Sequence, residues 1–138
     1  MKFRKILIST IAALSFGAST PIAFAQDTIV IGEINHYKRM AAFAGPYKQG
    51  IELAVEQINA SGGVLGKPLE FIFRDDQGKP GEAIKIAEEL MTRDGAVMLT
   101  GTILSHVGLA ISSFAAEKGY LYLAAEPLAD ALVWGKGN

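Results

Sequence analysis

Ser105 and His106 stand side by side in the stretch TGTILSHVGLA (residues 100–110), where an apolar run passes into a predicted helix. Such a pair could supply a nucleophile and its base. Adjacent residues on a helix point about 100° apart, however, so they are poorly placed to share a proton. The chain also lacks the G-x-S-x-G pattern of a nucleophile elbow. We therefore expect Ser105 to cap the helix, with its hydroxyl also facing a ligand.

A second group of candidates consists of acidic residues and histidines. Asp75 and Asp76 end a predicted strand, where paired carboxylates could hold Mg²⁺ or accept a phosphoryl group. The alternative, which the sequence favours, is that they tie down turns and cap the helix that follows Pro80. His36 and His106 could bind a metal, but two histidines without a closely spaced third ligand make a poor site. The sequence thus predicts no metal site and no cofactor.

Three further residues could form the wall of a ligand site. Glu126 follows an apolar strand directly; facing a cleft, it would favour a cationic or hydroxyl-bearing ligand over a bare anion, and otherwise it is a surface charge. Tyr37 and Phe43 lie in the predicted loop after the first strand. They either pack within that loop or form an apolar wall for a ligand.

These residues are positioned by an alternation of strands and helices. Apolar, β-branched runs predict strands over residues 28–34, 69–75, 96–100 and 120–125. Helical periodicity lies between them, with Pro46 at the start of the first helix and Gly62 at its end; residues 126–138 are predicted to form a loop and a helical turn. Strands that are apolar throughout indicate an α/β fold, a doubly wound parallel sheet with helices on both faces. In such sheets ligands bind beyond the carboxyl ends of the strands, where all the candidates above lie.

Residues 1–25 have the pattern of a secretory signal peptide. Three basic residues precede a short apolar stretch, and Ala23-Phe24-Ala25 predicts cleavage after Ala25. The alternative is a membrane anchor, but the apolar stretch is too short and is broken by Gly17 and Pro21. The sequence therefore predicts a periplasmic protein without stable membrane insertion after cleavage, in which residues 26–138 form one domain.

The charge balance limits the partners. Removal of residues 1–25 takes away three of the 13 basic residues and none of the 14 acidic ones, which leaves a net charge of −4. A mildly acidic surface argues against nucleic acid as a partner. The chain contains no cysteine, so neither a disulfide nor lipidation at a cysteine is available.

The run GIELAVEQINASGGVLGKPLEFIFRDDQGKP (residues 50–80), followed by AIKIAEELMTRDG (residues 83–95), resembles a known family. It is similar to the amino-terminal lobe of type I periplasmic solute-binding proteins, and within them to the leucine/isoleucine/valine-binding group of ABC importers. The leader, the pattern A-x-E-x-I-N-x-x-G-G-V-x-G and the paired aspartates match in order, and the resemblance covers residues 28–138.

The resemblance implies two α/β lobes that close on a ligand like a trap, of which this chain contains the first. It also implies that Ser105 holds a ligand carboxylate, with His106 beside it. Glu126, Pro127 and Leu128 fall on a ligand-binding loop, and Tyr37 or Phe43 on an aromatic contact. Family members often have Ala and Thr in that loop, and Pro127 has no N–H to donate. This departure argues against a plain branched-chain amino acid as the ligand.

The sequence as a whole predicts a non-enzymatic solute-binding component of an ABC importer. It would capture an amino acid or a related small organic solute and deliver it to an inner-membrane permease. Three alternatives remain open: a ligand-sensing lobe that serves a receptor, a non-functional remnant of a truncated gene, and an exported hydrolase that uses Ser105 and His106.

Overall fold

A computed structural model describes residues 28–135, so the predicted signal peptide lies outside the described part. Strands and helices alternate along this part as the sequence predicts. Four strands and four helices follow one another in this order: β1 Ile29–Asn35, α1 Ala41–Ala60, β2 Leu69–Asp75, α2 Pro80–Thr92, β3 Ala96–Gly101, α3 Ser105–Lys118, β4 Tyr122–Ala124 and α4 Asp130–Trp134.

The four strands form one parallel sheet in the order β2-β1-β3-β4. After β2 the chain crosses over β1 and adds β3 on its other side, so the direction of winding reverses between β1 and β3. A sheet wound in both directions opens a crevice at this reversal, beyond the carboxyl ends of the two strands. The α/β fold with a parallel sheet is therefore confirmed, and the crevice marks where a ligand site is expected.

One face of the sheet carries the main hydrophobic core. Helices α2 and α3 pack on this face and on each other. Gly32 allows the close approach of α2, because a Cβ at this position would lie 2.9 Å from Leu90 Cδ1. The fully buried side chains at the centre of this core are aliphatic: Ile34, Leu90, Leu99, Val107 and Ile111. Leu90 belongs to α2, and Val107 and Ile111 belong to α3, so both helices direct apolar side chains into this core.

Helix α1 lies on the opposite face, where Tyr47 and Ile51 line a cavity over Phe71 and Met98. It begins at Ala41, earlier than the start predicted at Pro46. The first turn is closed before the proline, since the N–H groups of Phe43 and Ala44 both bond to the carbonyl of Met40. Pro46 therefore lies inside the helix, where it has no N–H to donate to the preceding turn.

The last strand is shorter than predicted. The N–H of Tyr120 bonds to the carbonyl of Ala115 at the end of α3, so residues 120 and 121 precede the strand rather than belong to it. Helix α4 is the helical turn expected in the final segment. None of the helices within residues 28–135 is long and apolar enough to cross a membrane.

Candidate functional site

Asn35, the last residue of β1, connects three segments at the carboxyl edge of the sheet. Its side-chain amide donates to Glu33 Oε1 at 3.2 Å and to Glu126 Oε2 at 2.5 Å. Its Oδ1 accepts from the backbone N–H of His36 at 2.8 Å and of Ile103 at 3.1 Å. Asn35 is fully buried, and it ties the loops after β3 and β4 to the end of β1.

Two carboxylates, Glu33 and Glu126, meet at this asparagine. Glu33 is fully buried and also accepts a hydrogen bond from the hydroxyl of Tyr37, whereas Glu126 is only partly buried. We call Glu33, Asn35, Tyr37 and Glu126 the glutamate cluster. It brings together two of the residues that the sequence singled out, Tyr37 and Glu126, although they come from opposite ends of the lobe.

Burial controls the electrostatics of the glutamate cluster. Loss of hydration raises the pKa of Glu33 from 4.5 to about 8, against the lowering effect of the hydrogen bonds from Tyr37 and Asn35. The negative charges of Glu126 and Asp76 raise the pKa of Glu33 further. Burial and the nearby carboxylate also raise the pKa of the Tyr37 hydroxyl. A positive charge brought to this cluster would be attracted by Glu126 and would lower the pKa of Glu33, because it favours the ionised carboxylate.

Ser105 and the loop after β4 form the next part of the edge. Ser105 is the first residue of α3, and Leu104, not Ser105, occupies the cap position, so the predicted helix cap is wrong. The carbonyl of Leu104 already receives the first backbone N–H groups of the helix, and the hydroxyl of Ser105 instead accepts the N–H of Leu128 at 3.2 Å. Pro127 packs on α3, where a Cβ at Gly108 would lie 3.1 Å from its ring. Ser105, Pro127 and Leu128 are thus brought together.

Two predicted site residues lie apart from these groups. His106 is exposed, and its Nε2 lies 3.3 Å from the carbonyl of Gly78. Its ring and the hydroxyl of Ser105 therefore contact different segments. Phe43 belongs to the first turn of α1 rather than to a loop, and its side chain is 63% exposed. The loop prediction for Phe43 is wrong because α1 starts before Pro46.

Asp75 and Asp76 tie down the turn after β2, as one part of the favoured alternative predicts. Its other part, a cap for the next helix, is wrong, because Lys79 occupies the cap position of α2 and no side-chain hydrogen bond caps this helix. Asp75 Oδ1 accepts the N–H of Gln77 at 2.8 Å, and Asp76 Oδ1 accepts the N–H of Gly78 at 2.7 Å. His36 lies against both carboxylates, with Nδ1 3.7 Å from Asp75 Oδ1 and 3.6 Å from Asp76 Oδ1. We call His36, Asp75 and Asp76 the histidine cluster. It is the one group of residues in the described part whose donor atoms are close enough together to hold a metal ion.

Four residues of this edge were not predicted from the sequence. Glu33, Asn35 and Thr102 are fully buried at the ends of β1 and β3. The fourth residue is Tyr47, whose pKa is raised to about 12, first by burial and then by the charge of Glu33. For Glu33 a signal was available, since a glutamate inside an otherwise apolar strand is costly unless it has partners. The other three become visible only through their contacts.

Comparison with known proteins gives the same fold and a family. Residues 39–137 match the model of the family described as periplasmic binding protein. The chain is 30% identical over 122 residues to the Leu/Ile/Val-binding protein BraC3 of Rhizobium johnstonii, covering 88% of this chain and 32% of that protein. It is 33% identical to the Leu/Ile/Val-binding protein homolog 3 of Brucella melitensis, covering 85% of this chain and 31% of the relative.

Among solved structures, the chain resembles the branched-chain amino acid transporter substrate-binding protein LivJ of Streptococcus pneumoniae in complex with isoleucine. The TM-score is 0.72 at 28% identity, over 79% of this chain and 32% of that one. The chain thus spans about a third of the length of the relatives it matches. The names of these proteins describe binding proteins, which agrees with the prediction of a non-enzymatic chain. From its matched residues and its fold, the chain belongs to the periplasmic binding protein family.

Proposed function

We propose that this chain is the first lobe of a periplasmic solute-binding component of an ABC importer. Its ligand would be an amino acid or a related small organic solute that carries an ammonium group. The observation that carries this proposal is the glutamate cluster, which places two carboxylates on a single asparagine beside the crevice between β1 and β3. The names of the relatives, Leu/Ile/Val-binding proteins, support an amino acid as the class of ligand.

Glu126 is the carboxylate that a ligand would reach. It is only partly buried, while Glu33 behind it is fully buried. An ammonium group at Glu126 would form a charge-assisted hydrogen bond. It would also favour the ionised form of Glu33, whose pKa of about 8 keeps this side chain largely protonated at neutral pH. A branched aliphatic side chain carries no charge that could balance this negative site. The polar groups of the ligand, the ammonium group among them, are therefore expected to set the specificity.

Ser105 supplies the complementary group. Its oxygen accepts the N–H of Leu128, which leaves its hydroxyl proton available for a ligand carboxylate. Ser105 also begins α3, whose free N–H groups favour negative charge. An acceptor cluster for ammonium and a donor group for carboxylate are the two elements that an α-amino acid requires.

An NMR titration of the ¹⁵N-labelled chain tests this proposal, since it detects binding to one lobe even when affinity is weak. Candidate amino acids would be compared with analogues that lack the ammonium group or the carboxylate. We expect Glu126→Gln to weaken amino-acid binding about tenfold, as for the loss of one charged hydrogen bond, and to leave the amine-free analogue unaffected. Ser105→Ala should weaken binding of carboxylate-bearing ligands by a similar factor.

The matched controls lie on the exposed face of α3. Glu117→Gln and Ser113→Ala remove the same groups at exposed positions and should leave the affinities unchanged. Equal affinities of the wild-type chain and of both site variants for every ligand would refute the assigned site.

Localisation and transport follow from the same proposal. We expect to find the exported chain in the periplasmic fraction. In cells we expect it to form a complex with an inner-membrane permease. Cell fractionation followed by cross-linking and identification of the partner tests this. Capture of a membrane receptor in place of a permease would favour the sensing alternative.

A further inference from the structure

The histidine cluster contains a buried donor atom without a partner. The side chain of His36 is 8% exposed, and its Nδ1 is the one buried side-chain nitrogen or oxygen within residues 28–135 that lacks a hydrogen bond. A buried polar atom of this kind costs about 1–3 kcal/mol unless something binds it. It faces two carboxylate oxygens at 3.6 and 3.7 Å, distances too long for a hydrogen bond.

The two carboxylates are already held in place by other groups. Asp75 accepts the backbone N–H of Gln77 on one oxygen and that of Lys38 on the other. Asp76 accepts the N–H of Gly78 on one oxygen and the hydroxyl of Thr102 on the other. Each oxygen uses one lone pair in this way and keeps a second one. This is the pattern of outer hydrogen bonds that orients the ligands of a metal ion.

We propose that His36, Asp75 and Asp76 bind a divalent first-row transition cation. Nδ1 of His36 and one oxygen of each aspartate all lie within 4.8 Å of one another. The distances from Nδ1 to the two aspartate oxygens are 3.7 and 3.6 Å. A tetrahedral ion with bonds of about 2.0–2.1 Å would hold its ligand atoms about 3.3 Å apart, so Nδ1 and each oxygen need to approach by a few tenths of an ångström and the two oxygens by up to about 1.5 Å.

The donor set selects the kind of cation. Mg²⁺ and Ca²⁺ prefer oxygen ligands throughout, whereas an imidazole nitrogen with two carboxylates suits Zn²⁺ and its first-row neighbours. Asp76 is fully buried, but the side chain of Asp75 is 18% exposed, so the ion has access from that side and water can complete its coordination. The cation would balance the two negative charges of the aspartates.

This site is separate from the proposed solute site. The ligands of the cation come from the ends of β1 and β2, and the solute would lie between β1 and the loop after β4. Zinc binding therefore neither requires nor excludes amino-acid binding, and each proposal can fail without the other.

Calorimetric titration of the full chain, prepared without a polyhistidine tag, with ZnCl₂ at neutral pH is the first test. We expect one bound ion per chain. His36→Gln should weaken binding at least about tenfold. The chain has two histidines, so His106→Gln is the matched control and should bind like the wild-type chain. Absence of zinc binding, or equal affinity in the His36 and His106 variants, would overturn the proposal.

A second measurement does not depend on a variant that could fail to fold. Long-range ¹H–¹⁵N NMR spectra of the two wild-type histidine rings report which nitrogen binds the ion. Zinc should shift Nδ1 of His36 and leave His106 in place, and an excess of Mg²⁺ should not reproduce the shift. A response at His106 alone, or an equal response to Mg²⁺, would contradict the assigned donor set.

Discussion

The glutamate cluster and the histidine cluster lie at the same edge of the sheet, on either side of the Asn35-His36 peptide, but they hold their carboxylates differently. In the glutamate cluster the donors are side chains, the amide of Asn35 and the hydroxyl of Tyr37. In the histidine cluster, backbone N–H groups donate three of the hydrogen bonds to the aspartates, and the hydroxyl of Thr102 donates a fourth. The first arrangement leaves a buried carboxylate whose pKa is raised to about 8. The second leaves an imidazole nitrogen without a partner.

This difference fits the two uses proposed for one sheet edge. A carboxylate that is buried with another carboxylate gains most from an incoming positive group, which fits a solute that binds and leaves. Carboxylates that turns hold rigidly beside a histidine fit an ion that stays bound. Substitutions in the two clusters should therefore have different effects on the free energy of unfolding.

The pH dependence of stability should come mainly from Glu33. Because burial raises its pKa from 4.5 to about 8, the folded chain holds this proton more tightly than the unfolded chain. The contribution of Glu33 to the free energy of unfolding is therefore greatest below pH 4.5. It should fall by up to about 5 kcal/mol as the pH rises to about 8.

Glu33→Gln removes the titrating carboxyl group, so the free energy of unfolding should depend less on pH across this range. Urea unfolding followed by circular dichroism from pH 4.5 to 8.5 measures the effect. Glu117→Gln, an exposed change on α3, should keep the wild-type slope. Parallel profiles of the wild-type chain and Glu33→Gln would show that Glu33 is not the group responsible.

Asn35→Leu should affect both clusters at once. It keeps the approximate shape of the side chain but removes four hydrogen bonds, to Glu33, Glu126 and the backbone N–H groups of His36 and Ile103. At about 1 kcal/mol for each bond, we expect a loss of about 4 kcal/mol in the free energy of unfolding at pH 7.

The control for this change is Asn59→Leu. Asn59 is exposed and exchanges two hydrogen bonds with the backbone of Leu69, so its replacement should cost about half as much. Urea midpoints of the two variants at a common pH give the comparison. If Asn35→Leu lowered the free energy of unfolding no more than Asn59→Leu does, the hydrogen bonds of Asn35 would not stabilise the contacts between the three segments.

Thr102→Val should act on the histidine cluster alone. The hydroxyl of Thr102 donates to Asp76 Oδ2 at 2.8 Å, and both residues are fully buried. Removal of this donor should cost about 2 kcal/mol, because a buried charged oxygen loses a partner. The slope of stability with pH that Glu33 produces should remain.

Thr92→Val is the matched control, since the hydroxyl of Thr92 bonds to a backbone carbonyl on an exposed part of α2. Its effect should stay within about 0.5 kcal/mol. If Thr102→Val also removed the dependence of stability on pH, the two clusters would form a single electrostatic unit rather than two separate ones.

Glu126→Gln should have the smallest effect. The charge of Glu126 raises the pKa of Glu33, but it ranks behind burial and the two hydrogen bonds among the causes. Its removal should stabilise the chain at pH 7 by less than about 1 kcal/mol and move the Glu33 transition to lower pH. A shift of that transition to higher pH in the urea-derived profile would contradict the repulsion between the two glutamates.

Much of the fold could be predicted from the sequence because local patterns determine it. The apolar strands of residues 69–75 and 96–100 and the helical spacing of Ala83, Ala87 and Leu90 required no knowledge of distant contacts. The boundaries that differed, at Pro46 and at Tyr120, depend on hydrogen bonds to a preceding carbonyl, which the identity of one residue does not predict.

The sequence by itself determined that the chain is an α/β lobe whose polar residues follow its strands. Only the tertiary structure decided which of those residues meet. Asn35 bonds across 91 residues to Glu126 and across 68 residues to Ile103, and His36 lies against two aspartates from the end of another strand. No spacing along the chain encodes these meetings, because they depend on the crossover that places β1 between β2 and β3 and so brings three strand ends to one edge.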